Sequence, residues 1–184
     1  MSGPRTIHNL ALIGFMGTGK SSVGRLLAAN LRYEFVDTDE LIEKRAGQSI
    51  TQIFAELDEA GFRAIERQLV AEMETWQRKV ISTGGGLIAD PSNLSSLKQH
   101  ALLVCLCAPA EAIWQRVRHQ THRPLLQGPD PLGRIQALLE ERRPFYQQAD
   151  ILVNTAMRSV KEVAQQVMHQ FLSLIHISEP TRLR

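Results

Sequence analysis

The run Gly14-Phe15-Met16-Gly17-Thr18-Gly19-Lys20-Ser21 fits the pattern GxxxxGK followed by Ser or Thr, whose chemistry is the holding of phosphate chains. Glycines let successive backbone N–H groups turn inward and form a nest for an anion. Lys20 would reach the β- and γ-phosphates, and the Ser21 hydroxyl would meet Mg²⁺. An apolar stretch precedes the run and an amphipathic one follows it. A strand and a helix in those places would aim the positive end of the helix dipole at the phosphates. The run reads as a nucleotide-phosphate loop.

Other residues could do chemistry or could be plain structure. Asp37-Thr38-Asp39 closes the second apolar run, and on extended chain Asp37 and Asp39 would project to one side. One carboxylate could then hold the water shell of a metal while the other accepts a proton from an attacking hydroxyl. Equally, Thr38 or Asp39 could cap a helix beginning near Leu41. Gly84-Gly85-Gly86 would let backbone approach a ligand closely, or could be a simple turn. Arg63 lies off the apolar face set by Phe62, Ile65 and Leu69, three residues before Glu66. Spacing alone makes that a surface ion pair. The segment His119–Gly133 is polar and rich in Pro and Gly. That composition suits a mobile lid whose Arg123 meets phosphate charge, or a disordered connection. Arg142-Arg143-Pro144 closes the next helical stretch, where cations suit the dipole.

Apolar runs at 7–13, 33–36, 80–82, 102–106 and 151–153 read as strands. Helical spacing covers 21–31, 41–78, 110–119, 132–143 and 159–173, with Gly47 and Gly61 dividing the second of these into three helices. Strands alternating with helices imply βαβ units and a mainly parallel sheet covered on both faces. Ligands on such sheets bind at the carboxyl ends of the strands. A chain of 184 residues with 43% hydrophobic content makes one domain. Lys+Arg 21 against Asp+Glu 19 leaves +2, too even to argue for nucleic acid or membrane as partner. Aromatics at 5% are too few for a base-stacking platform. No apolar run approaches the ~20 residues of a membrane span, and no signal core follows the first residues. Cys105 and Cys107 are expected to face apart and to form no disulfide, which fits a reducing, cytoplasmic setting. After Leu174 the sequence IHISEPTRLR breaks the pattern and contains Pro180. The domain is therefore taken as 1–174, with 175–184 an unstructured or non-native tail.

Read in order, GFMGTGKSS, FVDTDELIEKRAGQSI, FRAIE, STGGGL, RPLL and ERRPFY resemble the shikimate kinases over residues from about 7 to 172. The resemblance implies a P-loop, NMP-kinase-like three-layer α/β fold. It has a five-stranded parallel sheet, a helical substrate-binding subdomain and a mobile lid at about 119–133. It implies ATP-dependent phosphorylation of the shikimate 3-hydroxyl, on the route to chorismate and the aromatic amino acids. ATP and Mg²⁺ are the implied cofactors, shikimate the partner, and a monomer the implied state. By the same resemblance Gly17, Thr18, Gly19, Lys20, Ser21 and Ser22 hold the nucleotide, Ser22 standing where the family often has threonine. Ser21 would bind Mg²⁺ directly and Asp37 through water. Asp39 would bind shikimate hydroxyls and act as base. Arg63 and Arg142 would grip the shikimate carboxylate, with Glu66 holding Arg63 and Gly84, Gly85 and Gly86 touching substrate by backbone. Arg123 would stabilise the transferring phosphoryl group, and Arg116 and Arg158 would flank the adenine. The competing readings are a gluconate-type kinase and a non-catalytic nucleotide- or ligand-sensing domain of the same fold.

Overall fold

Strand β1 (Asn9–Ile13) lies at the centre of the molecule, and all its residues are buried. Leu10 and Leu12 enter one apolar layer, Ala11 and Ile13 the other. A strand dry on both faces belongs to a parallel sheet with helices on each side. β1 pairs in parallel with β3 (Lys79–Ser82) and β4 (Ala101–Cys107). β2 (Glu34–Asp37) joins β3 and β5 (Ile151–Asn154) joins β4, so the order is β2-β3-β1-β4-β5. The structure, a computed structural model, describes residues 5–119 and 129–178.

With apolar residues on both faces, alternation cannot set the register of β1. Asn9 supplies what alternation lacks. Its buried amide donates to the Trp76 carbonyl at 2.7 Å, and its Oδ1 accepts from the Lys79 N–H at 3.0 Å. A slip of one residue would leave that amide unpaired, at about 1–3 kcal/mol. The strand ends, and the loops they carry, are thereby held level.

Helices α1 (Lys20–Leu31) and α7 (Val160–Ser178) cover one face through Val23, Leu27, Val163, Val167 and Phe171. The other face receives α2 (Thr38–Ala46), α3 (Ile50–Met73), α4 (Pro91–His100) and α6 (Pro131–Tyr146). A third apolar cluster joins α5 (Ala110–Val117) to α6 through Ile113, Val117, Ile135 and Leu138, with Phe15 of the phosphate loop among them. The three-layer parallel fold is as expected.

Several details differ from the sequence reading. The expected break at Gly61 falls at Asp58, which has φ 59 and ψ −174. That backbone costs about 1–3 kcal/mol. The Asp58 carboxylate offsets part of it by accepting the Gly61 N–H at 3.0 Å and so capping the second half of α3. α4 has no counterpart among the expected helices. α6 continues through Pro144 to Tyr146 instead of ending at Arg143; the proline removes one main-chain bond near the end, and Tyr146 is buried in return. α7 runs to Ser178, four residues past the expected domain end at Leu174, and 179–184 lie outside the described residues. Cys105 and Cys107 do not face apart. Residues two apart on a strand share a face, and their Sγ atoms, both thiols, are 3.4 Å from each other. Among the described residues no helix is long and apolar enough to cross a membrane.

Candidate active site

All five strands point their carboxyl ends at one rim, and β1 passes there into the phosphate loop. Gly14 (φ 136), Gly17 (φ 75) and Gly19 (φ 96) take backbone conformations that side chains disfavour. At Gly14 a Cβ would also stand 2.3 Å from the Leu106 carbonyl oxygen, so the loop is laid directly on β4. Thr18 spends its hydroxyl inside the loop, donating to the Phe15 carbonyl at 2.8 Å. No side chain caps the start of α1, and its first turn holds no acid. The positive end of α1 is thus kept for an anion. Lys20 Nζ arches over the loop to the Gly14 and Phe15 carbonyls at 2.8 and 3.0 Å.

The Ser21 hydroxyl donates to Asp37 Oδ2 at 2.8 Å, tying the loop to the end of β2. The other oxygen of Asp37 accepts the Asp39 N–H at 3.1 Å. Asp37, not Thr38 or Asp39, is therefore the N-cap of α2. The chain is no longer extended at Asp39, which corrects the expectation that pleating aligns the two carboxylates. Asp39 instead belongs to the first turn of α2 and abuts Gly84.

None of Gly84, Gly85 and Gly86 has a left-handed backbone. Their glycine character is explained by room. A Cβ on Gly84 would stand 2.4 Å from Asp39 Oδ1, and one on Gly86 would stand 2.8 Å from both terminal nitrogens of Arg63. The Gly85 carbonyl accepts from Arg142 Nη1 at 2.9 Å. Each glycine thus faces a different charged side chain. The run is anchored by the Gly84 N–H, which donates to the buried Thr38 hydroxyl at 2.7 Å.

The Arg63–Glu66 pair is not a surface ion pair. Its guanidinium donates to Glu66 at 2.6 Å and to Glu59 at 3.1 Å, and Glu66 is fully buried. Burial pushes the Glu66 carboxyl above its ordinary value against the pull of Arg63, and Asp39 and Asp90 push it further up. Arg142 lies 5.5 Å over the Phe15 ring and so leans on the phosphate loop as well.

Beside that loop opens a cleft of about 340 Å³ whose lining includes Gly17, Thr18, Gly19, Ser22, Arg116 and Arg158. Arg116 donates to the Thr155 carbonyl at 2.7 Å, to its hydroxyl at 3.0 Å and to the Gly17 carbonyl at 3.2 Å. It therefore bolts the loop to the end of β5. Arg116 and Arg158, the two arginines expected at the nucleotide, both line this cleft. Thr155 and Ser159 also line the cleft and carry no motif that could have flagged them. Arg123 and most of the expected lid, residues 120–128, lie outside the described residues. Among the described residues no three His, Cys, Asp or Glu side chains gather into a metal cage. The hydroxyl and carboxylate of Ser21 and Asp37 instead form a sparse set of hard oxygens, the kind a divalent cation shares with phosphates. The rim can thus hold a phosphate chain on one side and, within reach of it, an anion beside a carboxylate.

The family model for shikimate kinase matches residues 16–172. A shikimate kinase of Thermodesulfovibrio yellowstonii is 42% identical over 165 residues, 90% of this chain and 95% of its own. One from a Synechococcus strain is 46% identical over 171 residues, 92% of this chain and 90% of its own. Among solved structures, shikimate kinase from Acinetobacter baumannii, in complex with shikimate, superposes with TM-score 0.86 and 37% identity, covering 92% of this chain and 95% of that one. A gluconokinase from Sinorhizobium meliloti, at TM-score 0.61 and 16% identity over 96% of this chain and 100% of its own, shares the fold alone. The phosphate loop from Met16 onward and the glycine run with its three charged neighbours fall within a match that spans most of the molecule, and the chain belongs to the shikimate kinase family.

Proposed function

We propose that the protein transfers the γ-phosphoryl group of ATP to the 3-hydroxyl of shikimate, giving shikimate 3-phosphate and ADP on the route to chorismate and the aromatic amino acids. One observation carries this reading. Asp39, Arg63 and Arg142 abut three successive glycines immediately beside a phosphate loop. Two guanidinium groups suit a single carboxylate because each can bind it through two parallel N–H bonds. A carboxylate between them suits ring hydroxyls.

In this reading the backbone of Gly17, Thr18 and Gly19 and the side chains of Lys20, Ser21 and Ser22 hold the triphosphate. Lys20 exchanges its two loop carbonyls for β- and γ-phosphate oxygens. Arg116 and Arg158 flank the adenine. Ser21 would ligate Mg²⁺ directly and Asp37 would hold it through water, and the metal would neutralise charge on the phosphates. Arg63, held by Glu66, and Arg142 fix the shikimate carboxylate, and Gly84, Gly85 and Gly86 support the ring. Asp39 orients the 3-hydroxyl and takes its proton as the new P–O bond forms and the bond to the β-γ bridging oxygen breaks. Arg123 would stabilise the group in transfer. We take the protein to act as a monomer and place the reaction in the cytoplasm. An ADP-release assay with shikimate, quinate and gluconate tests the reading. Shikimate should be much the best substrate; a preference for gluconate would overturn it.

A further inference from the structure

β4 ends in two thiols that the proposed reaction does not use. Cys105 and Cys107 share a face of the strand with their Sγ atoms 3.4 Å apart. Cys105 is buried and Cys107 half-buried, so one sulfur can be reached from solvent while the other closes against a dry wall. That wall includes Ala11, Ile13 and Tyr146. The Tyr146 hydroxyl is buried and lacks a hydrogen-bond partner among the described residues. Burial pushes it up to about 12 against the pull of the Arg142 guanidinium, and the nearby Cys105 and Cys107 act in the same direction as burial. The paired dithiol thus borders the same buried layer as the Tyr146 ring.

The chemistry of that pair is narrow. Tetrahedral zinc asks for four ligands, and no third His, Cys, Asp or Glu joins the pair among the described residues. Two sulfurs at short separation suit a soft centre of low coordination number. We propose that Cys105 and Cys107 form a two-thiol binding site for trivalent arsenic, one centre per chain, and that filling it weakens nucleotide binding. The coupling follows from where the strand lies. The Leu106 carbonyl, between the two cysteines, is the atom against which Gly14 is packed, and the Cys107 carbonyl accepts the Thr155 N–H at 2.8 Å. The segment 105–107 is the floor of the phosphate loop.

Hydrogen bonding from Cys105 holds the Cys107 thiol below its ordinary value, so Cys107 makes the first bond. With phenylarsine oxide as probe, two As–S bonds form and the bonding between arsenic and oxygen breaks. The oxygen leaves as water with both thiol protons, and no electrons change hands.

Intact-mass measurement and thiol titration of the folded protein, with and without phenylarsine oxide, test the site. One arsenical per chain with loss of both free thiols is expected, reversed by an added small dithiol. Cys107→Ser and Cys105→Ala should each take up none; the second avoids placing a hydroxyl in the core, and thermal melts establish that both variants fold. Calorimetric titration should find ADP binding weakened in the loaded wild type and normal in arsenical-treated Cys107→Ser. No uptake by folded wild type, uptake retained in either variant, or uptake without weaker ADP binding would each overturn the proposal.

Discussion

The two halves of the rim are built on opposite plans. The phosphate loop is eight consecutive residues whose work is done by backbone, fixed by left-handed glycines and by close packing on β4. The glycine run 84–86 has ordinary backbone and is furnished by side chains from elsewhere: Asp39 on α2, Arg63 on α3 and Arg142 on α6. A site made of backbone has little to lose from changes in distant segments. One made of side chains on three helices inherits the ion pairs and caps that hold each of them. The comparison teaches that phosphate binding should be robust and local, and substrate recognition distributed and fragile.

The largest test is within the carboxylates that join the halves. Losing a positioned base costs ~10²–10⁴-fold in kcat, and Asp39→Asn should fall in that range without recovering as Mg²⁺ is raised. Asp37→Asn should lose activity that added Mg²⁺ partly restores. Rates for both variants across a Mg²⁺ series at saturating shikimate decide this, and rescue of Asp39→Asn instead would reverse the two roles.

Lys20→Ala should cost ~10²–10³-fold in kcat, the scale of one preorganised donor, while leaving the melting temperature nearly unchanged. Steady-state rates and a thermal melt are enough. A small effect on rate would break the claim that the loop is the phosphate site.

Gly84→Ala should act on the other half alone. The new Cβ meets Asp39 Oδ1 at 2.4 Å, and the carboxylate must move by less than the ~1 Å that costs about 10²-fold in a positioned site, so roughly tenfold is expected. The loss should fall on shikimate turnover, read as kcat/KM for shikimate, while calorimetric ADP affinity stays as in the wild type. Equal losses for both ligands would mean that the halves are not separable.

The smallest effects concern pH and stability. Burial would raise the Asp150 carboxyl, but Arg5 and the Leu103 N–H outweigh it and hold the group below its ordinary value of 3.8. Its stabilisation is therefore complete above 3.8 and lost as pH falls. Glu66 is raised by burial, so its contribution is present below 4.5 and lost as pH rises. Chemical denaturation across pH should show Asp150→Asn with a flatter acid limb. Glu66→Gln should gain relative to the wild type as pH rises through 4.5. The same sign in both would mean that the pull of Arg63 outweighs burial at Glu66.

What could be read from sequence follows the same division. The phosphate loop and the parallel sheet were legible because a contiguous motif and five short apolar runs carry them. Arg63 and Glu66 were legible as a pair by spacing, but its burial was not, since that depends on how α2 and α4 close over α3. α4 itself was hidden by its composition: Leu94 and Leu97 are its buried large apolar residues. Its start was nonetheless written in Asp90, which caps it through the Ser92 N–H at 2.9 Å, and in Pro91 at the first turn. Thr155 had no signal, because its place in the cleft comes from β5 pairing with β4, a contact between distant segments.

The order of the strands also bears on how the chain is made. β1 and the phosphate loop are complete by Ser21, yet the partners of Leu10 are Val80 and Leu102. Closing contacts so distant along the chain is slow and costs entropy before any pairing rewards it. During synthesis the nucleotide motif therefore emerges well before β4 and waits for it before it has a floor. ATP, abundant in the cell, can stabilise only the finished sheet. A nascent chain stalled before Cys105 would carry the complete motif and bind no nucleotide.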